Sequence, residues 1–225
     1  VMETAGEIIF FWVARMIMLG LYATGKVPFK NVYLHGLVLD AKGQKMSKSR
    51  GNVINPLDLT DKYGTDAFRI GLVAGNTPGT SLALDENRIR GYRNFANKIW
   101  NAARFALLQN GKSEARSTKF ETMSKDKKCL KELSRLTKEI TRLMDDFKFY
   151  MAAEKIYHYF WHAFCDKIIE DCKNGKVSKY ALLEILETSL KLLHPFMPFI
   201  TEEIYQKLPI RNKKECLMVE SWPAC

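Results

Sequence analysis

The hydrophobic pattern splits the chain into two parts with different periods. Residues 7–23 are apolar nearly all round, with Ile8 and Trp12 four apart on one face. That predicts a helix packed on both sides, ended by Gly25 and Pro28. Residues 31–39 form a short apolar run rich in β-formers, which reads as a strand buried on both faces. Asn55 and Pro56 then supply a cap and a first helical position for a short helix stopped at Gly64. Thr65 is placed to cap a second helix running through Ala74, and the turn-forming residues 75–79 break the chain.

Beyond that break the period becomes helical throughout. From Asp85 to about Gln109, Ile89, Tyr92, Ala96, Ile99, Ala103 and Ala106 make an apolar stripe. Residues 110–127 are polar and read as a surface connection. Leu130, Leu133, Leu136, Ile140, Leu143 and Phe147 mark a second helix, and Ala153, Ile156, Phe160, Phe164 and Ile168 a third, ended by Gly175. Leu182, Leu183, Leu186, Leu190 and Leu193 mark a fourth, stopped by His194-Pro195, and a short helix follows from about Phe199 to Leu208. Helices joined this closely predict an antiparallel bundle. The tail from Cys216 carries no typed element.

Composition narrows the class. With 47% hydrophobic and 27% charged residues the chain is globular rather than disordered. Its net charge of +10 favours a polyanionic partner. Cys129, Cys165, Cys172, Cys216 and Cys225 include no close pair, which argues for reduced thiols in the cytoplasm and against a disulfide framework or zinc ribbon. His158, His162 and Cys165 share a helical face, but their neighbourhood is aromatic and a fourth ligand is lacking, so no metal is assigned. The apolar run from Ile8 to Leu21 spans about 14 residues with Arg15 inside, short of the roughly 20 that cross a bilayer. It is read as core, with no membrane partner and no targeting signal. Val1 is no initiator, and the chain reads as an excerpt of something longer.

One stretch fits neither period. Residues 43–52 place Lys45, Lys48 and Arg50 with Ser47 and Ser49 between Gly43 and Gly51, directly after the predicted strand. Lysines on such a loop are point charges suited to phosphate. The strand's carboxyl end is also where open α/β sheets bind ligands. A second polar stripe, Arg90, Arg93, Asn97, Asn101 and Arg104 with Trp100 beside it, suits RNA: arginine for phosphate or base edges, indole for an unpaired base. Equally, the asparagines can bond between packed helices while Trp100 fills the core. The tripeptide Met123-Ser124-Lys125 echoes the loop but follows no strand and is read as chance.

The residues also carry a resemblance. Lys45-Met46-Ser47-Lys48-Ser49 is identical to the signature loop of the class I aminoacyl-tRNA synthetases. Ile8-Ile-Phe-Phe-Trp12, His35-Gly36-Leu-Val-Leu-Asp40, Gly51-Asn-Val-Ile-Asn-Pro56, Tyr63-Gly-Thr-Asp-Ala67, Asn94-Phe-Ala-Asn-Lys98 and His194-Pro-Phe-Met-Pro-Phe199 resemble the valyl branch, in that order. The resemblance implies an α/β plus all-α chain. Residues 1–75 would be the second half of a Rossmann-like class I catalytic domain. Residues 76–215 would be a stem connection and a helical-bundle anticodon-binding domain, and 216–225 a tail.

The implied reaction activates valine with ATP, its Mg2+ carried with the nucleotide, and transfers it to valine tRNA. The resemblance implies that Lys45 and Lys48 are the catalytic cations, and that His35, Gly36, Met46, Ser47 and Ser49 join them around ATP. It places Ile8 and Trp12 in the amino-acid pocket, and the chain is read as a cytoplasmic monomer. The family's His-x-Gly-His-like segment and its editing domain do not occur in these residues, so the polypeptide alone is expected to make no adenylate. Isoleucyl or leucyl enzymes, and a non-catalytic fragment or paralogue binding tRNA or nucleotide, remain alternatives.

Overall fold

In the computed structural model, which describes residues 1–110, 124–210 and 212–223, the apolar run at 31–39 is extended but broken in two. Strand β1 (Met2–Ala5) pairs in parallel with β2 (Val32–His35), and β3 (Val38–Leu39) pairs in parallel with β4 (Leu82–Ala83). The break falls at Gly36, where a Cβ would lie 1.4 Å from the carbonyl oxygen of Thr80. Its φ is not in the left-handed region, so close approach of backbone, not turn geometry, demands the glycine. The strands are half-exposed, not buried on both faces: each has a single partner among the described residues.

Residues 7–23 also depart from expectation. A short 3-10 turn (Gly6–Ile8) leads into a π turn (Ile9–Val13) and then helix α1 (Ala14–Thr24), which ends at Gly25. Only Val13 is buried; Phe10, Trp12, Met18, Leu19 and Tyr22 are exposed. One face rests on its own unit, where Gly20 meets the Pro28 ring, and no described residue covers the other. The stretch Gly6–Thr24 has 19 residues and a mean hydropathy of 1.5, long and apolar enough by those measures to cross a membrane.

The chain divides into two units, Val1–Pro56 with Gly75–Glu86, and Leu57–Ala74 with Asn87–Cys225. Thus α2 (Pro56–Tyr63) and α3 (Thr65–Val73) fall mostly with the helical part rather than before a cut at residue 75. Gly64, not Thr65, occupies the cap position of α3, and no side chain caps it. The second unit adds α4 (Glu86–Asn110), α5 (Ser124–Asp145) and α6 (Phe149–His158). A π segment (Tyr159–Ile168) runs into α7 (Ile169–Lys173), followed by α8 (Lys179–Leu193) and α9 (Pro198–Lys207). Of the predicted surface connection, residues 124–127 open α5 instead, and 111–123, with Met123, lie outside the described residues.

The third helical pattern explains its own geometry. Ile156, Phe160, Phe164 and Ile168 repeat every four residues and are all buried. An α-helix would rotate such a series off its face, while the wider π turn carries it back. Phe95 of α4, missed by the predicted stripe, is fully buried against Tyr157, Phe160 and Trp161.

Two of the family-like runs meet inside this unit. Asp66 accepts hydrogen bonds from Phe199 N (3.2 Å) and Ile200 N (2.6 Å), capping α9 from another helix. Arg69 donates to the Pro195 carbonyl at 3.3 Å, and His194 bonds Thr201 at 2.8 Å. Burial raises the Asp66 carboxyl above the ordinary range, opposed by those two N–H groups, Ile200 first. In Asp66→Asn, an amide NH2 must face one of the N–H donors, at a cost of about 1–3 kcal/mol. Because the folded carboxyl keeps its proton to higher pH than the unfolded one, the native protein gains stability as pH falls through that window. The variant should lose this gain. Urea midpoints across pH check both effects, and coincident curves would refute them.

Candidate nucleotide loop and RNA-facing helix

The loop after β3 is built on a carboxylate–amide clasp. Asp40 Oδ1 accepts from the N–H groups of Lys42 (3.0 Å) and Gln44 (2.7 Å), and Asp40 Oδ2 accepts from Asn52 Nδ2 (2.9 Å). Asn52 in turn accepts from Ser47 N at 2.9 Å and donates to the Lys45 carbonyl at 3.3 Å. The Asn52 amide, then the Gln44 N–H, hold the Asp40 carboxyl below the usual carboxylate range. Gly43 and Gly51 sit at φ 75° and 67°, where a side chain would be strained. Leu39 bridges Lys45 across the base, and residues 48–50 form a 3-10 turn at the tip.

The clasp presents the side chains unequally. Met46 and Ser47 are half-buried, while Lys48, Ser49 and Arg50 are exposed. Ser47 and Ser49 share a hydroxyl contact at 3.2 Å. Lys45 Nζ reaches Glu7 at 2.9 Å, an exposed pair worth at most about 1 kcal/mol, so it aims Lys45 without committing it. Lys48 has no side-chain partner among the described residues. His35 Nδ1 pairs with Glu3 on the neighbouring strand. Gly36 needs no ligand to explain it, since Thr80 already fills the space beside it.

Ile8 follows Glu7 directly in the chain, Trp12 comes one turn later, and both are exposed. They are not an α-helical pair: Ile8 ends the 3-10 turn and Trp12 lies in the π turn. Glu3, Glu7, Asp40 and Asn52 were not singled out from the sequence. Asp40 and Asn52 had a signal, since Asx residues beside glycines at both ends of a polar loop commonly bond the backbone.

On α4, Arg90, Arg93, Asn97, Asn101 and Arg104 are all exposed, and the asparagines make no side-chain hydrogen bond among the described residues. Arg90 bonds Asn87 at 2.8 Å and Arg93 the Lys62 carbonyl at 3.4 Å. Trp100 is 39% exposed, so it does not fill the core. With Arg104, Leu107, Leu108, Ile204 and Lys207 it lines an open apolar cavity of about 240 Å³, and the Lys207 ammonium stands 6.0 Å from its ring centre. His158 and His162 stack at 5.9 Å, His162 bonds Asp166 at 3.3 Å, and burial pushes the Cys165 thiol up to about 12. No group of three ligating side chains able to hold a metal occurs among the described residues.

Residues 1–85 match the model for class I tRNA synthetases (I, L, M and V), and residues 126–225 that for the anticodon-binding domain of tRNA ligases. Both matched segments are thus similar to tRNA ligases, the first to those of class I. Among the curated relatives that the chain matches are valine–tRNA ligases. That of Dehalococcoides mccartyi strain CBDB1 is 43% identical over 100% of this chain and 27% of its own length. That of Geobacter sulfurreducens is 46% identical over 98% and 26%. The chain thus spans about a quarter of the length of these relatives.

In fold it is similar to Agrobacterium radiobacter K84 LeuRS in a ternary complex with tRNA and LeuAMS (TM-score 0.80, 22% identity, 98% of this chain and 28% of that one). It is also similar to Mycobacterium tuberculosis methionyl-tRNA synthetase bound by methionyl-adenylate (TM-score 0.68, 21% identity, 92% and 44%). Gly6–Thr24 lies within the stretch matching the synthetase model, which favours a domain helix over a membrane span.

Proposed function

We propose that this chain is the portion of a valine–tRNA ligase that closes on the ATP phosphates and holds tRNA, in a cytoplasmic, monomeric enzyme. In this reading a valine carboxylate oxygen attacks the α-phosphorus, the bond to the bridging oxygen breaks, and pyrophosphate leaves. The tRNA 3′-terminal hydroxyl then attacks the valyl carbonyl and AMP departs. No covalent enzyme intermediate forms, so the protein contributes position and charge. The unpartnered Lys48 at the tip of a clasped arch is the observation that carries the reading.

Lys48 meets the charge developing on the leaving pyrophosphate, and Lys45 follows from its contact with Glu7. The Ser47 and Ser49 hydroxyls are added donors, and Met46 seats the loop. His35, fixed through Nδ1 by Glu3, lies on the strand leading to the loop and faces the nucleoside end. Ile8 and Trp12, beside Glu7, bound the valine side chain. Magnesium arrives on ATP and neutralises its phosphates.

The test is valine-dependent ATP–pyrophosphate exchange and valine tRNA charging by the complete polypeptide that carries these residues. Absence of both would overturn the reading. On the RNA side, the exposed stripe of α4 and its cavity suit phosphate and a stacked base. Arg93→Glu should weaken tRNA binding about tenfold and lower the salt dependence by about 1 to 2 released ions. An unchanged affinity and slope would make the stripe a solvated face.

A further inference from the structure

The outer face of the π segment carries a pair of imidazoles that the proposed activity does not use. Ile156, Phe160, Phe164 and Ile168 enter the core at intervals of four residues. His158, His162 and Asp166 repeat at the same interval, two positions out of phase. They therefore fall on the opposite side, where all three are exposed. The wider turn that keeps the phenylalanines inward keeps these three in line outward. His158 closes α6 and His162 lies in the π segment, yet their rings are nearly parallel, 19° apart with centres 5.9 Å from each other.

The surroundings prepare one of the ring nitrogens. An ionised carboxylate only accepts hydrogen bonds, so the contact of Asp166 with His162 Nδ1 at 3.3 Å puts the proton on Nδ1. In the neutral ring, Nε2 is then left with its lone pair free. Lys98 Nζ of α4 donates to Asp166 at 2.8 Å, and that bond, before any other cause, holds the carboxyl below its usual range. Lys98 is itself seated over the Trp161 ring, 4.1 Å from its centre. A merely solvated histidine needs no such support. An imidazole that binds a metal has this arrangement: its second nitrogen donates to a carboxylate, which is hydrogen-bonded in turn. An ion pair with Asp166 would account for His162 alone, since His158 has no carboxylate partner among the described residues.

Histidines four residues apart on one helical face are the spacing with which helices hold zinc. Both side chains are exposed and free to turn, so their nitrogens can close to the roughly 2.0–2.1 Å of a zinc–imidazole bond. The donor type selects the ion. Magnesium and calcium take oxygen ligands, whereas imidazole suits zinc, copper and nickel. Cys165 joins no set, because burial pushes its thiol up to about 12 and it offers no thiolate. The described residues supply no third side-chain ligand, so water fills the other positions and the ion stays exchangeable. We propose that His158 and His162 chelate one divalent transition-metal ion across the turn that joins α6 to the π segment. Asp166 is the positioning residue that presents His162 Nε2. The bound ion clamps that turn and stabilises the native bundle by mass action. The site asks nothing of the ligase reading.

The experiment is equilibrium dialysis of the complete polypeptide, stripped by a chelator, against Zn2+ in excess Mg2+. Urea unfolding is followed in parallel with and without Zn2+. His158→Gln and His162→Gln should each bind one zinc ion fewer than the parent. Asp166→Ala should keep the stoichiometry but bind about 10–100-fold more weakly. Asp166→Asn, which still accepts from Nδ1, should lose less, and Cys165→Ala should bind as the parent does. Zinc should raise the urea midpoint of the parent more than that of either histidine variant. Circular dichroism without metal checks that every variant folds. Equal zinc binding in the parent and both histidine variants would overturn the site, as would a loss confined to Cys165→Ala or displacement of the zinc by Mg2+. Parent affinity in Asp166→Ala would overturn the positioning role.

Discussion

Lys48→Ala lowers valine-dependent ATP–pyrophosphate exchange by about 10²–10³-fold in the complete polypeptide, with the KM for valine changed by less than about twofold. The size follows from the loss of one charge-stabilising donor aimed at a leaving group. The selectivity follows from position: Lys48 sits at the tip of the arch, while the valine-pocket candidates Ile8 and Trp12 lie on the separate segment that follows Glu7. Lys45→Ala should cost less, because in the free protein Lys45 is already engaged by Glu7 and must exchange one anion for another. Exchange kinetics for the two variants make the comparison directly. Unchanged kinetics in Lys48→Ala would remove Lys48 from the mechanism.

Gly36→Ala destabilises the first unit by at least the ~3 kcal/mol at the upper end of ordinary overpacking. The added carbon would stand 1.4 Å from the Thr80 carbonyl oxygen, and neither partner can rotate away because both are backbone. Moving Thr80 displaces its neighbours, whose hydrogen bonds join the segments: Gly79 N to Leu34 O at 2.9 Å, Leu82 N to Leu37 O at 2.8 Å and Leu84 N to Leu39 O at 2.9 Å. Amide exchange at Leu82 and Leu84 should accelerate together with a fall in the denaturation midpoint. Both effects should appear without nucleotide. A variant that folds normally and fails only when ATP is added would instead make Gly36 a ligand contact.

What could be read from the sequence depended on how local its cause was. The bundle helices were legible because their apolar periods are set by their own faces, and the stops at Gly25, Gly64 and Pro195 are properties of single residues. The exposure of Phe10, Trp12 and Leu19 was not legible, since an apolar stretch predicts a wish for cover and not the presence of it. The division of the strand at Gly36 depends on Thr80, far along the chain. Asp66 and α9 are 133 and 134 residues apart at their hydrogen bonds, beyond the reach of any window. In the loop, the exposed cations Lys45 and Lys48 were visible, but the clasp that shapes the loop was hidden in two residues that looked like ordinary turn formers. On α4, exposure settled what composition left open, freeing Asn97, Trp100 and Asn101 from a packing role.

The Asp40–Asn52 clasp also sets a clock. It ties together two points 12 residues apart, so the arch between them is a tethered loop rather than a hinge between domains. Contacts across a loop of about this length form in roughly 10–100 ns, whereas enzymes typically turn over at about 1–10³ per second. On the proposed reading, Lys48 meets a triphosphate by such a loop motion, on a scale of about ns to μs, shorter than a typical turnover, which would leave the pace to bond exchange or to the departure of products.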